Sequence, residues 1–332
     1  MRAIVIDRTG PADLLKVSDI PTPEPGAGQV RIRVAYAAVH PLDIHARSGA
    51  MKWGVPPLPF TLGYSYCGRI DKVGPGVDAG LIGKRVTVSS QYGGYADHAV
   101  TAAANVVPIA DALDWQVGGF AMGSTLTAWH MLHTLARVRP AEWIVVHSAA
   151  GPVGAMLTQI AKAAGCRVIG LVGGPAKVAW AKQFGADHLI DYVADRDWPT
   201  TVKTLTQGPD RPNGGVDFIM DGNLGPDAAK QFACLAPLGQ VIAIGAMAGP
   251  APEVNISKLI AGSHGVRGFV VGHGMAKTNG AERPELVAKI ASGAWRFPVS
   301  VAGPLEQAAA AHRAFESRAT VGRTLLAVGG EI

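Results

Sequence analysis

WIVVHSAAGPVGAMLTQIAKAAGCRVIGLVGGPAKVAWAKQFGADHLIDY, residues 143 to 192, decides the reading of this chain. An apolar run, Trp143 to Val146, reaches a turn of small residues, Ser148 to Gly154. A helix-patterned segment follows, then a second apolar run from Arg167 to Val172, a second helical segment and a short run, His188 to Ile190. That alternation predicts a doubly wound parallel sheet of the dinucleotide-binding kind. Within the turn, Ala149-Ala150-Gly151-Pro152-Val153-Gly154 fits G-x-G-x-x-G, with Ala149 in place of the first glycine. The spacing alone is weak evidence. Between an apolar strand and an amphipathic helix it is strong, because a pyrophosphate needs backbone N–H groups, a helix N-terminus and side chains small enough for close approach. Pro152 suits the first helical turn but offers no N–H, so the donors at Val153 and Gly154 carry more of the contact. The competing reading is a glycine turn that serves helix–sheet packing alone.

The second strand ends at Val172, about twenty residues past Gly151, where an acidic side chain normally reads the ribose 2′-hydroxyl. Val172 carries no charge, and no carboxylate follows until Asp187. Gly173 and Gly174 leave room, and Lys177 is near. An open pocket beside a lysine suits a 2′-phosphate, which favours NADP(H) over NAD(H). The alternative for Lys177 is a solvated helix residue.

The same alternation continues outward. Asp217 to Asp221, Gln240 to Ile244 and Val266 to Val271 read as fourth, fifth and sixth strands, with a helix from Pro226 to Leu235. Upstream, helices are expected over Asp114 to Met122 and Ser124 to Leu135, the latter capped by Ser124. Residues 1 to 118 are different: short alternating runs such as Arg2 to Ile6, Val30 to Ala37, Gly68 to Val73 and Lys84 to Val88 are separated by Pro- and Gly-rich turns. After a loop from His273 to Arg283, the tail shows helices at Glu285 to Ser292 and Leu305 to Ser317 and a strand at Thr324 to Val328. It is too small to stand alone and is expected to pack on the β-rich part. The organisation is therefore α/β: a β-rich domain of residues 1–118 plus 273–332, interrupted by a Rossmann domain of residues 119–272.

With 332 residues, 48% of them hydrophobic, the chain can bury two cores. The net charge of +5 comes with no clustered basic block, which argues against nucleic-acid binding. Three cysteines, Cys67, Cys166 and Cys234, lie too far apart for a CxxC metal site and read as buried small hydrophobes. No signal-peptide core and no membrane-length apolar run is present, so a soluble cytoplasmic protein is expected.

Several further motifs make the chain resemble the medium-chain dehydrogenase/reductase superfamily, in its zinc-free quinone oxidoreductase branch. They are Val39-His40-Pro41-Leu42-Asp43 with Arg47-Ser48-Gly49, Gly63-Tyr64-Ser65-Tyr66-Cys67-Gly68, Gly93-Gly94-Tyr95-Ala96, Ala149 to Gly154, Gly185 to Tyr192, Gly215 to Asp221, and Gly322-Arg323. The resemblance spans essentially the whole chain. It implies a GroES-like catalytic domain interrupted by the Rossmann domain, with the active site in the cleft between them. It also implies Tyr192 and Lys177 near a 2′-phosphate, Gly245 and Val270 near the nicotinamide, and a homodimer or homotetramer formed through the Rossmann sheet edge.

Zinc-dependent relatives place a cysteine ligand where His40 stands and a His-Glu pair where Tyr64 and Ser65 stand, and they carry a four-cysteine loop that is missing here. One imidazole does not make a three-ligand catalytic site, so no metal is expected. Without a Lewis acid, the chemistry suits acceptors that are already activated: quinones or α,β-unsaturated carbonyls, reduced by NADPH. The oxygen that becomes electron-rich then needs a hydrogen-bond donor. His40 and Tyr64 are the candidates. The alternatives are a histidine that only orients the nicotinamide or a loop, and a tyrosine that only fills the space a metal would take. His45 stands at a relay position, but Leu42 replaces the hydroxyl residue that would begin the relay. Asp43 reads as a loop-holding carboxylate, and Arg47 as structural or cofactor-contacting. Met51 and Trp53 point to a hydrophobic acceptor. Two other functions share this pattern: an enoyl or tailoring reductase of a biosynthetic pathway, and a non-catalytic NADPH-binding protein of crystallin-like or RNA-binding type.

Overall fold

The computed structural model describes residues 1–51, 54–89, 91–249, 253–330 and 332. Trp53 lies outside the described residues. The chain forms two compact units, Met1–Gly123 with Val287–Ile332, and Ser124–Leu286. No helix among the described residues is long and apolar enough to cross a membrane.

The unit Ser124–Leu286 is built on six strands: Trp143–His147, Arg167–Val172, His188–Asp191, Val216–Asp221, Leu235–Ala243 and Gly265–Gly268. Numbered in chain order, they lie as 3-2-1-4-5-6, and every neighbouring pair is parallel. This is the Rossmann order, whose ligand crevice lies at the carboxyl ends where the winding reverses between strands one and four. The centres of these strands are apolar because helices cover both faces; Ile144, Val145 and Val146 are wholly buried. Prolines start three of the helices, Pro152–Ala163, Pro175–Ala181 and Trp198–Leu205, within the first two positions, where a missing N–H costs nothing.

Several expected elements shift. The stretch Asp114 to Met122 is broken: a short helix spans Trp115–Gly118 and a new one starts at Ala121. Ser124 is therefore inside the helix Ala121–Trp129, buried, and is not its N-cap. That helix runs on as a π-helix, His130–Ala136. The segment Pro226–Cys234 is 3₁₀-helical, and Leu235 already belongs to the fifth strand. The sixth strand stops at Gly268, so Val270 and Val271 are not strand residues; Val270 is the N-cap of a helix, Val271–Thr278, where a loop was expected. Its glycines are poor helix formers, so propensity hid it. Tertiary packing overrides propensity here: Gly274 sits so close to the His130 ring that a Cβ would fall 2.8 Å from it. This helix belongs to the Rossmann unit, which moves the return boundary from the expected 272/273 to Leu286/Val287; the first boundary moves from 118/119 to Gly123/Ser124.

The other unit carries a sheet in the order Val299–Pro304, Arg323–Ala327, Gln29–Ala38, Ser65–Val73, Arg85–Ser89, Val107–Pro108, with His98–Ala102 also paired to Gln29–Ala38. The C-terminal strand Arg323–Ala327 lies antiparallel against Gln29–Ala38, which ties the tail to the N-terminal part. A smaller sheet joins Val17–Asp19, Arg2–Ile6 and Phe60–Thr61. One core, including Ile4, Ile32, Val34, Leu62, Tyr66 and Leu326, runs through this unit.

Candidate functional site

In the Rossmann unit, the expected cofactor residues gather along the carboxyl edge of the sheet. Strand one leads through Ser148 and the buried Ala149 and Ala150 to Gly151, which opens the helix Pro152–Ala163. The first N–H groups of a helix have no partner within it, so Val153 and Gly154 present donors at its positive end. Gly154 is the tightest position: a Cβ there would lie 2.2 Å from the Ser148 carbonyl oxygen and 2.8 Å from the Ala149 Cα. The missing first glycine is compensated on the next strand. A Cβ on Gly170 would stand 2.8 Å from the Ala149 methyl, so the methyl at position 149 occupies space that Gly170 leaves. The residues fit a dinucleotide pyrophosphate: the approach is narrow, small-sided and faced by helix N–H groups.

At the end of strand two, Val172 is buried, and Gly173 lies against the Tyr192 ring, with a Cβ there only 2.7 Å from the phenol oxygen. Tyr192 follows strand three, so the two expected residues meet across neighbouring strands. Lys177 is half-buried in the first turns of the helix Pro175–Ala181. One carboxylate was not foreseen: Asp191, paired in register with Val172. Its Oδ1 accepts the N–H groups of Gly174 at 2.8 Å and Val193 at 3.0 Å, and these bonds hold its pKa below the usual carboxylate value. The distance rule along the sequence missed it because it comes from the adjacent strand. Gly245, just past strand five, packs beside Gly222. Val270 is 43% exposed beyond the edge strand, three strands removed from the phosphate turn, and is not brought together with the others.

The other unit assembles the candidate donors. Gln29–Ala38 delivers His40 to the N-cap of the helix Pro41–Ser48, where its Nδ1 accepts the Leu42 N–H at 3.2 Å. That bond fixes the tautomer, leaving the proton on Nε2. Burial, reinforced by the charge of Arg323, keeps the His40 pKa well below its ordinary value, so the ring is neutral. Tyr64 stands with its ring centroid 5.3 Å from that of His40. Tyr92 and Phe60 extend the group, with Tyr64–Tyr92 at 5.1 Å and Phe60–Tyr92 at 5.2 Å, and the Tyr92 hydroxyl donates to the Leu42 carbonyl. Tyr92 left no signal in the sequence, since contact across loops sets its place.

Asp43 holds both donors. Its wholly buried carboxylate accepts the N–H of His40 on one oxygen and those of Gly63 and Tyr64 on the other, each at 3.0 Å. Burial pushes its pKa up to about 7, against the opposing pull of the three N–H donors and of Arg323. Arg47 is structural: it is buried, donates to the Gly10 carbonyl and pairs with Glu316. His45 lies on the same helix, its pKa lowered by burial. Met51 is half-buried, just beyond the helix that carries His40.

A catalytic zinc does not fit these residues. The His40 Nδ1 lone pair is taken by the backbone, Tyr64 replaces a ligand, and no three His, Cys, Asp or Glu side chains converge among the described residues. The three cysteines are each buried and free of disulfides.

Residues 26–137 match the family profile of the alcohol dehydrogenase GroES-like domain, and residues 152–292 that of zinc-binding dehydrogenase. The chain is 31% identical to a quinone oxidoreductase of Pseudomonas aeruginosa over 96% of both chains. It is 29% identical to a 2-haloacrylate reductase of a Burkholderia species over 98% of both. A mycobacterial protein solved in complex with NADPH shares 33% identity and superposes with a TM-score of 0.88, over 98% of this chain and 100% of that one.

Proposed function

We propose that this chain, which belongs to the medium-chain dehydrogenase/reductase superfamily and its quinone oxidoreductase branch, is an NADPH-dependent reductase of quinones or α,β-unsaturated carbonyls that works without zinc. The observation that carries the reading is the Asp43 hub, which sets two proton-bearing rings, His40 and Tyr64, side by side where zinc-dependent relatives hold a metal. The NADPH-bound neighbour and the glycine-lined carboxyl edge support NADP(H) as the cofactor. Bound NADPH supplies a hydride equivalent. The chain's own part is to seat the pyrophosphate on the N–H groups of the helix at Pro152, and the 2′-phosphate beside Tyr192 and Lys177. In the other unit, the neutral His40 Nε2–H or the Tyr64 hydroxyl donates to the acceptor oxygen as it gains charge. The donor that gives up its proton recovers one from water. The likeness to 2-haloacrylate reductase supports an activated carbon–carbon double bond as the reduced group.

The reading includes a homo-oligomer formed at the Rossmann sheet edge. Val266 on strand six, the last strand in the sheet order among the described residues, and Ile256 and Ile260 on the helix Ile256–Gly262 are exposed at 40%, 64% and 73%, apolar surface that a second copy would cover. The test is a panel of quinones, enones and 2-substituted acrylates with NADPH and with NADH, alongside a metal assay. Turnover with NADPH on at least one class and no stoichiometric zinc is expected. Tight NADPH binding with no turnover on any class would overturn the catalytic reading.

A further inference from the structure

The crevice of the Rossmann sheet is crossed by a side-chain hydrogen bond. The Asn223 Nδ2, just past strand four, donates to the Ser148 hydroxyl, just past strand one, at 2.7 Å. These are the two strands between which the winding of the sheet reverses.

Each end of the bond is built in. Asn223 is anchored three ways: its N–H donates to Asp221 at 2.7 Å, its carbonyl accepts the Ala248 N–H at 2.8 Å, and its amide reaches Ser148. Ser148 is the pivot of the phosphate turn. Its carbonyl accepts the Gly151 N–H at 2.8 Å and is the atom against which Gly154 packs. It also sits at φ 54°, a conformation disfavoured for a residue with a side chain. Fold alone would favour glycine at this position. The serine is accounted for by its hydroxyl, which reaches across the crevice.

We propose that Ser148 and Asn223 are a positioning pair for the dinucleotide: their bond sets the height and spacing of the pyrophosphate turn. The pair is assigned no part in the chemical step. It acts through Ser148 on the N–H groups at the start of the helix Pro152–Ala163. The inference rests on the NADPH reading and names the residues that tune it.

The experiment measures the NADPH dissociation constant and the cofactor-free melting temperature of wild type, Asn223→Ala, Ser148→Gly, Ser148→Thr and Asn223→Ala/Ser148→Gly. Losing one hydrogen bond weakens NADPH by about fivefold in either single variant. The double variant is no weaker than the singles, because both remove the same bond. Ser148→Thr keeps the hydroxyl and retains most of the affinity. Ser148→Gly melts no lower than wild type while binding NADPH less tightly, a divergence that a purely structural role does not produce. In turnover, the KM for NADPH rises more than kcat at saturating NADPH falls. Unchanged affinity in both single variants, or additive losses in the double, would overturn the pairing. A wild-type protein that does not bind NADPH at all would instead sink the cofactor reading itself.

Discussion

Gly154→Ala, set against Gly151→Ala, separates what the phosphate turn does for the fold from what it does for the ligand. At Gly154 the added methyl would lie 2.2 Å from the Ser148 oxygen and 2.8 Å from both the Ser148 carbonyl carbon and the Ala149 Cα. All three are backbone atoms, so no side chain can rotate away. The helix has to lift from the strand by about 1 Å to restore ordinary contact distances of roughly 3.5 Å. Overpacking of this kind costs about 1–3 kcal/mol. For a domain of this size, that lowers the melting temperature by roughly 2–12 °C. The lift also moves the N–H groups of the first helical turn, and weakening one charge-assisted bond to pyrophosphate costs about tenfold in affinity. At Gly151 the methyl would meet the Ser148 oxygen at 3.2 Å and the Ser148 Cβ at 4.0 Å, and φ is −89°, which alanine accepts. Gly151→Ala should therefore melt within about 1 kcal/mol of wild type, its main effect falling on NADPH affinity through close backbone approach. Thermal melting and NADPH titration of the two variants give the comparison. If Gly151→Ala is the less stable protein, or Gly154→Ala melts like wild type, the packing argument is refuted.

Further outcomes follow from the same geometry. Removing both donors, in His40→Ala/Tyr64→Phe, should lower kcat with an enone by about 10²-fold or more; wild-type rates in the double variant would remove both residues from the chemistry. Because burial keeps the His40 ring neutral, the wild-type rate should show no ionisation of this residue near its ordinary pKa, and a pH–rate profile checks that. Asp43→Asn turns an NH₂ toward one of three backbone N–H donors and should cost about 1–3 kcal/mol in unfolding free energy. The pH dependence has a definite sign. The folded carboxyl, at about 7, lies above its unfolded value, so the native state binds the proton more tightly and this group's contribution to stability falls as pH rises from about 4 to 7. Melting across that window should show the decline in wild type and lose it in the variant; parallel curves would refute the assignment. Lys177→Ala should shrink the preference for NADPH over NADH about fivefold, with the difference fading at high salt; an unchanged ratio of the two dissociation constants would take Lys177 out of the 2′-phosphate site.

The sequence by itself determined the Rossmann core, because its signals are local. The strand Trp143–His147, the small-residue turn and the proline-started helix Pro152–Ala163 follow one another within a single supersecondary unit. Periodicity, turn chemistry and helix starts are properties of neighbours in the chain. The charge-free end of strand two was legible for the same reason. Only the tertiary structure decided the rest. Val271–Thr278 is a helix because it packs on the π-helical segment at His130, against its own glycine-rich propensity. Asp191 reaches the end of strand two from the neighbouring strand, and Asn223 reaches Ser148 from 75 residues away. Asp43 is legible as a loop-holder, yet the sequence gives no way to see that one carboxylate fixes both His40 and Tyr64, because Gly63 and Tyr64 come back to it across a 20-residue excursion of the chain. The proposed chemistry lies in these non-local contacts. A buried hydrogen-bonding group needs a partner, and which partner it finds is set by the packing of distant segments, for which adjacent residues carry no code.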